Sequence, residues 1–195
     1  MLAAAILAAG ESRRMGSPKA LLDYRGKTFA DHLAEVTRHP RIGLLRVVLG
    51  AGAENIRVQL RLDPAAIVVN SEWQVGQLSS IQAAVRSLPD GATEGLMLCP
   101  VDHPMISPEL VAKVIEAFDA SGKTIAVPLY RGRRGHPVIF RANLYAELLA
   151  ASHQVGARQV VMAHGAEIVE VPTEEEGVTL NLDTPDAYRK AMQRQ

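Results

Sequence analysis

The chain contains one cysteine, few aromatic residues and no excess of charge of either sign. Cys99 is the only cysteine, so the protein can form neither an internal disulfide nor a metal site built from several thiolates. It also lies within the apolar run GLMLCPVD, which argues against a reactive nucleophile. This cysteine usage favours a reducing cytoplasm as the location of the protein.

Charge imbalance and long apolar runs are lacking as well. Lys plus Arg and Asp plus Glu each number 21, so no chain-wide positive field would attract nucleic acid or anionic lipid. No apolar run reaches the roughly 18 residues that a membrane-spanning helix needs. The opening MLAAAILAAG lacks the basic start of a signal peptide and is followed by Glu11, Arg13 and Arg14, so we interpret it as a buried strand. We therefore expect no nucleic acid and no membrane as partners.

The composition is typical of a globular protein with a full-sized core. Hydrophobic residues make up 48% of the 195 and charged residues 22%, which excludes disorder, collagen and coiled coil. A chain of this length sustains one core without division. We expect a single domain over residues 1–195.

Short apolar runs of strand length alternate with longer segments of helical spacing. Continuous apolar character marks strands that are buried on both faces. Their alternation with helices predicts an α/β fold with a doubly wound, mostly parallel sheet. The stretch YRGRRGH predicts a small β excursion near 130–140, and GHPVIF then forms a strand outside the regular winding. The predicted strands are 2–9, 46–50, 66–70, 95–101 and 124–130, and the predicted helices are 29–37, 79–88, 108–120 and 144–151.

The segment LAAGESRRMGSPKALL directly follows the first predicted strand, where doubly wound sheets bind their ligands. Gly10 and Gly16 allow close backbone approach, Ser12 offers a hydroxyl, and Arg14 and Lys19 can bind oxyanions. These residues favour a polyphosphate ligand over an ordinary solvated turn. The segment is not a P-loop, because five residues rather than four separate the two glycines.

A second glycine pair, Gly50 and Gly52, also follows a predicted strand. The dinucleotide fingerprint requires a third glycine, and Asn55 stands in its place. The sequence therefore favours a tight turn here and disfavours an NAD-type oxidoreductase.

Two aspartates near the ends of predicted strands are candidate ligands of Mg²⁺. Asp102 follows the strand in LMLCPVDHP, and a carboxylate there suits Mg²⁺, which takes a few protein oxygens together with substrate phosphates. The alternative role of a helix cap is disfavoured for Asp102, because Ser107 fills it. In VTLNLDTPDAY at 178–188 we predict an alternating strand that leads to Asp183 and then to a helix capped by Thr184. The local sequence favours neither of two roles for Asp183, which are binding of the metal and starting of the helix.

Five segments together resemble a known family. The loop that begins at Leu7 is similar to L-A-A-G-x-S-x-R-M-G-x-P-K, the signature of the MobA-like nucleotidyltransferases that complete the molybdenum cofactor. The same order of motifs is spread over nearly the whole chain, which makes chance similarity improbable. The resemblance implies a Rossmann-like nucleotidyltransferase fold. The other four segments are GQLSSIQAA at 76–84, CPVDHP at 99–104, GRRGHPVIF at 132–140 and LDTPDAY at 182–188.

The resemblance implies transfer of CMP from CTP to the phosphate of molybdenum-bearing molybdopterin, with release of pyrophosphate and formation of the cytosine dinucleotide cofactor. GMP transfer to the same pterin, and CMP transfer to another phosphorylated small molecule, are the alternatives. Related guanylyltransferases carry Gly-Gly where this chain has Ala9 and Gly10, and the Ala9 methyl group favours a one-ring base. The implied partners are CTP, the phosphorylated pterin and the molybdoenzyme that receives the cofactor.

The resemblance also implies roles for individual residues. The implied catalytic residues are Arg14, Lys19 and Asp102, and the first two would grip the triphosphate. Mg²⁺ is the implied cofactor, held by Asp102 and Asp183, since Asn181 stands where the family commonly has a further aspartate. The residues implied to bind the nucleotide are Leu7, Ala8, Ala9, Gly10, Ser12, Arg14, Lys19, Asn70, Ser79 and Ser80, and those implied to face the pterin are Gly135, His136 and Pro137.

This reaction needs no catalytic triad. The attacking phosphate monoester has a second pKa of about 6 and is largely ionised near neutral pH, so neither a protein nucleophile nor a general base is required. The protein must bring two polyanions together and neutralise charge on the leaving pyrophosphate. Arg131, Arg133 and Arg134 either attract the second substrate or form a solvated hairpin, and the sequence leaves both open.

Overall fold

Strands and helices alternate along residues 1–193, the part of the chain that the computed structural model describes. The strands are β1 (Leu2–Ala8), β2 (Asp23–Tyr24), β3 (Lys27–Thr28), β4 (Ile42–Leu49), β5 (Ile67–Val69), β6 (Gly95–Pro100), β7 (Ile125–Tyr130), β8 (Arg133–Arg134), β9 (Val138–Arg141) and β10 (Ile168–Pro172). The helices are α1 (Phe29–Val36), α2 (Ala53–Arg57), α3 (Gln77–Arg86), α4 (Pro108–Ser121), α5 (Tyr145–Ala150), α6 (Arg158–Ala163) and α7 (Pro185–Met192).

The main sheet has the order β10-β7-β9-β6-β1-β4-β5, and β8 pairs with β7. The interior strand β1 runs parallel to both of its neighbours, β4 and β6. The antiparallel members are β9, which lies between β6 and β7, and the short β8. The predicted doubly wound, mostly parallel sheet is confirmed. The excursion near 130–140 is the β7–β8 hairpin, and the GHPVIF strand enters the sheet as antiparallel β9.

The side chains of β1 alternate between two hydrophobic cores, one on each face of the sheet. All seven of its residues are buried, which explains why this part of the sequence is continuously apolar. Phe29 of α1 and Phe118 of α4 pack on one face, whereas Ile81 of α3 and Leu148 of α5 pack on the other. Full burial of such side chains contributes about 1.5–3 kcal/mol each. The two cores therefore hold the carboxyl end of β1 in a fixed position.

Two predicted helix starts are confirmed in detail. The Ser107 hydroxyl accepts a hydrogen bond from the Leu110 amide, and Pro108 occupies the first turn of α4. Thr184 does the same for the Ala187 amide at the start of α7. None of the helices in residues 1–193 is long and apolar enough to span a membrane.

The predicted strand within 178–188 is wrong. Residues 179–183 pair with no strand of the sheet, and the sheet edge is formed instead by β10, which the sequence analysis missed. The alternation has another cause: Val178 and Leu182 are fully buried in the core while Asn181 is exposed. The segment crosses the end of β6, where the Leu182 amide donates to the Asp102 carbonyl oxygen.

Candidate functional site

A cleft of about 230 Å³ opens at the carboxyl ends of β1 and β6. The loop after β1 forms one wall, the first turn of α3 forms another, and Asp102 lies at the end of β6. This is the edge at which the sequence analysis expected a ligand. Of the predicted nucleotide-binding residues, those that line the cleft are Leu7, Ala8, Ala9, Gly10, Ser12, Lys19 and Ser80.

Lys19 joins the two aspartates that the sequence analysis selected. Its Nζ donates to Asp102 Oδ2 at 3.0 Å and to Asp183 Oδ1 at 2.7 Å. Arg14 donates to the other oxygen of Asp183, at 3.0 Å. The side chains of Lys19 and Asp102 are each 16% exposed, whereas that of Arg14 is 71% exposed. The two carboxylates and the lysine therefore form one half-buried charged cluster, with Arg14 at its solvent side.

The cluster changes the proton affinity of its members. Burial by itself would lower the pKa of Lys19, but the carboxylates of Asp102 and Asp183 outweigh it, so the pKa is raised. Burial would likewise raise the pKa of Asp183, and the hydrogen bond from Lys19 reverses that effect, so the pKa is lowered. Both shifts favour the charged forms, an ammonium beside a carboxylate.

The loop after β1 is folded back on itself around Ser12. The Ser12 hydroxyl accepts from the Lys19 amide at 3.0 Å, and its carbonyl oxygen accepts from the amides of Met15 and Gly16. Gly16 has a φ of +75°, which only glycine adopts readily. A Cβ at Gly10 would meet nothing within 4 Å, so that stretch of backbone faces open space. This geometry leaves room for a phosphate group against the loop.

Three polar residues predicted to bind the nucleotide are hydrogen-bonded to one another and do not line the cleft together. Asn70 Nδ2 donates to Ser79 Oγ at 2.8 Å and to Ser80 Oγ at 3.1 Å, and all three side chains are buried. Asn70 also accepts from the Glu72 amide through its side-chain oxygen. Only Ser80 reaches the cleft wall. Asn70 and Ser79 thus position the turn before α3.

Trp73 lines the cleft and was missed by the sequence analysis. It packs against Gly50, where a Cβ would lie 2.5 Å from the Trp73 Cβ and 2.6 Å from the Ala9 carbonyl oxygen. The glycine pair therefore serves as a close-packing turn, with Gly52 in the left-handed region at φ +66°. The signal in the sequence was the single tryptophan just after the third apolar run.

Asp183 reaches the cluster because its chain segment is held very close to two other loops. A Cβ at Gly177 would lie 2.1 Å from the Met105 carbonyl oxygen, and one at Gly135 would lie 2.2 Å from that of Val178. The His103 ring nitrogen Nδ1 lies 3.2 Å from the Gly177 carbonyl oxygen. These contacts fix the path of the chain toward Asp183.

The three residues predicted to face the pterin differ in their surroundings. Gly135 and Pro137 are buried, whereas His136 lines a second cavity that shares Leu7 and Gln77 with the cleft. The hairpin arginines lie outside both cavities. Arg134 pairs with Glu170, and Arg131 stacks over the Tyr130 ring. Of the two roles left open, a solvated hairpin agrees with these contacts.

The donor set near the cleft suits a cation that takes only a few protein ligands. Within residues 1–193, no group of three His, Cys, Asp or Glu side chains could hold a metal ion. The two carboxylates of Asp102 and Asp183 both lie within hydrogen-bond distance of one nitrogen, so they are close enough to share one ion. Mg²⁺ completes its shell with water and phosphate oxygens, so two carboxylates fit it. Cys99 is no alternative nucleophile, because burial raises the pKa of its thiol to about 12.

Comparison with known proteins gives a consistent family. The model of the MobA-like NTP transferase domain matches residues 4–168. The nicotine blue oxidoreductase of Paenarthrobacter nicotinovorans is 32% identical over an alignment of 164 residues, with 78% of each chain covered. The molybdenum cofactor cytidylyltransferase of Escherichia coli K12 is 26% identical over 192 residues, 97% of this chain and 94% of that one.

Two further comparisons bear on the base and the metal. A probable molybdenum cofactor guanylyltransferase of Pyrococcus horikoshii is 29% identical over 161 residues, 82% of this chain and 73% of that one. A crystal structure of Rv0371C from Mycobacterium tuberculosis H37Rv in complex with manganese superposes with a TM-score of 0.82 at 26% identity. That likeness covers 100% of this chain and 99% of the other.

Proposed function

The chain belongs to the MobA-like NTP transferase family, and we propose that it transfers CMP from CTP to the phosphate of molybdenum-bearing molybdopterin. An acceptor phosphate oxygen attacks the α-phosphorus of CTP and forms a new P–O bond. The bond between the α-phosphorus and the bridging oxygen breaks, and its electron pair leaves on pyrophosphate. Residues 1–195 would form the single domain that performs this step, and the molybdoenzyme that receives the cofactor would be a further partner.

The meeting of Lys19, Asp102 and Asp183 beside the glycine-rich loop carries this proposal. Asp102 and Asp183 would hold Mg²⁺, which neutralises triphosphate charge when it is bound. Lys19 and Arg14 would then donate to phosphate oxygens, since charge-assisted hydrogen bonds of this kind are strong. The open space against Gly10 supports a phosphate position at the loop. The manganese complex of the related Rv0371C supports a divalent cation in this family.

CTP is the proposed donor for two reasons. The similarity to the Escherichia coli cytidylyltransferase extends over 97% of this chain. Ala9 lines the cleft and is nearly buried. With the base bound against it, its methyl group would narrow the space for a two-ring base. GTP is the alternative donor, because the guanylyltransferase of Pyrococcus horikoshii has a comparable identity.

The test is a transfer assay with purified protein, Mg²⁺, molybdenum-loaded molybdopterin and each of the four nucleoside triphosphates in turn. We expect pyrophosphate release and dinucleotide formation with CTP, and much less with the others. If pyrophosphate is released with GTP and with no other nucleotide, the donor is GTP and the nucleotidyl transfer reaction still stands. No release with any nucleotide, at saturating acceptor, would refute the transferase proposal.

The similarity to nicotine blue oxidoreductase favours a second candidate function, the oxidation or reduction of a small molecule. An oxidoreductase would have little chemical use for the cluster of Lys19 with two carboxylates, which is why we place it second. The two candidates separate in one further measurement: consumption of NADH or NADPH, followed by absorbance, with no nucleoside triphosphate present. Turnover of either dinucleotide would favour the oxidoreductase.

A further inference from the structure

The strand β4 is longer than the edge strand β5 that pairs with it. β5 pairs only with residues 47–49 of β4, whereas β1 pairs with β4 from Ile42 to Leu49. In the part of the chain that the structure describes, the side of residues 42–46 that faces away from β1 therefore has no partner strand. At about 3.3 Å per residue, this open edge is roughly 16 Å long. Unpaired edges of this kind can accept a further strand.

A groove of about 490 Å³ runs along the open edge of β4. It is lined by all of residues 42–46, and because successive side chains of a strand point to opposite faces, a groove that reaches all of them lies at the edge. The end of α1 and residues between α2 and β5 form its other walls. Ile42 lies about 23 Å from Leu49, the end of β4 that approaches the nucleotide cleft. A partner in the groove would therefore leave the cleft open.

Positive charge predominates in the groove. The guanidinium groups of Arg38 and Arg61 are exposed and form no ion pair or side-chain hydrogen bond within residues 1–193. Arg46 donates to two backbone carbonyl oxygens, those of Leu45 and Ser87, so no carboxylate neutralises it. The charged residues that line the groove are Arg38, Arg46, Arg61 and Asp63.

The carboxylates near these arginines already have other partners. Asp63 accepts from the backbone amide two residues further on and so begins a short 3-10 turn. Glu35, three residues before Arg38, is paired with Lys27. Asp31 is buried and accepts from one backbone amide and one hydroxyl. The groove therefore has positive charge to offer to a ligand.

A second copy of the chain is a poor occupant for this edge. Two β4 edges paired about a two-fold axis would bring the same arginines of both copies together, and like charges opposite each other destabilise a sheet. A segment that carries carboxylates would instead place them beside Arg38 and Arg61. In added strands, main-chain hydrogen bonds supply affinity and alternate side chains supply specificity.

We propose that the open edge of β4 binds an extended acidic segment of a partner protein as an additional strand. The partner's main chain would exchange hydrogen bonds with the groups of residues 42–46 that face away from β1, and its carboxylates would pair with Arg38 and Arg61. A main-chain amide of the partner would replace the Arg46 guanidinium at the Leu45 carbonyl oxygen. The interaction does not depend on the proposed transfer reaction, because the groove and the cleft share no lining residue.

The charge of the partner is tested with a fluorescein-labelled heptapeptide in which glutamate and valine alternate. Fluorescence anisotropy gives its Kd for the full-length protein. Replacement of both Arg38→Glu and Arg61→Glu should raise this Kd by about tenfold or more. The matched control combines Lys113→Glu with Arg133→Glu, which changes the net charge equally at exposed residues outside the groove, and its Kd should stay within about twofold of wild type.

Two further measurements test strand pairing as distinct from charge. The same peptide with N-methyl groups on alternate residues keeps its carboxylates but loses main-chain donors, so it should bind at least about tenfold more weakly. Hydrogen–deuterium exchange of the amides in residues 42–46 should slow when the unmethylated peptide binds, because amides that faced solvent become hydrogen-bonded. Circular dichroism checks that both double variants are folded.

Several results would overturn the inference. These are equal Kd values in the two double variants, equally tight binding of the N-methylated peptide, and no binding of the acidic peptide to the wild type. Analytical ultracentrifugation tests the second copy as occupant. A dimer in which the amides of residues 42–46 are protected without peptide would also overturn the inference. Peptide binding without nucleotidyl transfer would support the groove and leave only the proposed reaction refuted.

Discussion

Lys19 occupies the position between two carboxylates that a divalent cation would share. Its ammonium neutralises Asp102 and Asp183 at 3.0 and 2.7 Å, and its raised pKa keeps it charged. In the proposed reaction, a cation bound by these carboxylates would leave the Lys19 ammonium available for phosphate oxygens. The same side chain would then stabilise the cluster without ligand and bind the triphosphate when it is present.

The first prediction concerns the loss of this lysine. Lys19→Ala should reduce kcat/KM by an amount equivalent to about 2–4 kcal/mol, as expected for a charge-assisted phosphate contact. Without nucleotide, the variant should bind Mn²⁺ more tightly than wild type, because two carboxylates lose their competing ammonium. Steady-state kinetics and Mn²⁺ titration measure the two effects. Arg13→Ala is the control, since Arg13 is 82% exposed and its ion-pair partner is Glu11, away from the cluster. Equal small effects at both positions would contradict the assignment of Lys19 to the triphosphate.

Asp102 should be required for turnover but not for folding. Its side chain contacts Lys19 and contributes little to either hydrophobic core. Asp102→Ala should raise the activation barrier by several kcal/mol, because no bound cation would then neutralise the charge of the triphosphate. Pyrophosphate release at limiting Mg²⁺ gives the rate, and circular dichroism checks the fold. Near-normal turnover in a folded variant would mean that Asp102 is not a metal ligand.

Ala9 is the residue at which we expect base selectivity to change. A steric difference of one methyl group is worth about 1–3 kcal/mol, or roughly 10- to 200-fold. CTP should therefore be preferred over GTP by a measurable but limited factor, and Ala9→Gly should reduce that factor. Competition between the two nucleotides at equal concentration, with one acceptor, measures the ratio. Preference for GTP in the wild type would remove the cytidylyl assignment and leave nucleotidyl transfer intact.

At the scale of elements, the site depends on a segment without regular secondary structure. Residues 179–183 carry Asp183 to the cluster, although they belong to no strand or helix. Their path is fixed by the close approach of Gly177 to Met105 and by the hydrogen bond from Leu182 to Asp102. Glu175 adds a further tie, since its carboxylate accepts from both the amide and the hydroxyl of Ser107.

Gly177→Ala should therefore damage the site from a distance. The added Cβ would lie 2.1 Å from backbone, so the segment must shift and carry Asp183 with it. We expect a loss of about 1–3 kcal/mol in the free energy of unfolding, the usual cost of overpacking, together with weaker Mn²⁺ binding. Urea denaturation and Mn²⁺ titration of the folded variant measure both. In Gly165→Ala, the control, the new Cβ meets nothing within 4 Å; unchanged Mn²⁺ affinity in the Gly177 variant would show that the contact does not position Asp183.

At the scale of the whole molecule, sheet order determines which loops meet. β1 and β6 are neighbours in the sheet although some 90 residues separate them along the chain. Their carboxyl ends therefore bring the glycine-rich loop and Asp102 to the same cleft. The path back from β10 then brings Asp183 to Lys19, from which it is 164 residues distant along the chain.

This arrangement predicts that ligands stabilise the entire fold. CTP with Mn²⁺ at about 100 times the Kd should add about 2.7 kcal/mol by mass action. For a chain of this length, that corresponds to an increase in Tm of about 5–11 °C. Differential scanning fluorimetry measures the shift. In Asp102→Ala, the part of the Tm increase that depends on Mn²⁺ should be lost. An unchanged wild-type Tm at saturating ligand would contradict a nucleotide site in this cleft.

The sequence by itself determined the features that depend on near neighbours in the chain. Continuous apolar runs predicted the buried strands, and Ser107 and Thr184 predicted the starts of two helices. The glycine-rich loop and Asp102 could be selected because each follows a strand of recognisable composition. The predictions of strands and helix starts succeeded because hydrogen bonding within a turn and burial of a strand act over a few residues.

Tertiary structure decided what depends on contacts between distant segments. Local sequence left Asp183 open between two roles, and only the fold brought it to Lys19. The alternation at 178–188 suggested a strand, but burial of Val178 and Leu182 against other elements produces the same pattern without a partner strand. Asn70 turned toward Ser79 and not toward the cleft, and Arg38 and Arg61 came to line one groove at the edge of β4. Each of these depends on which surfaces meet through space, and composition and spacing along one chain do not specify that.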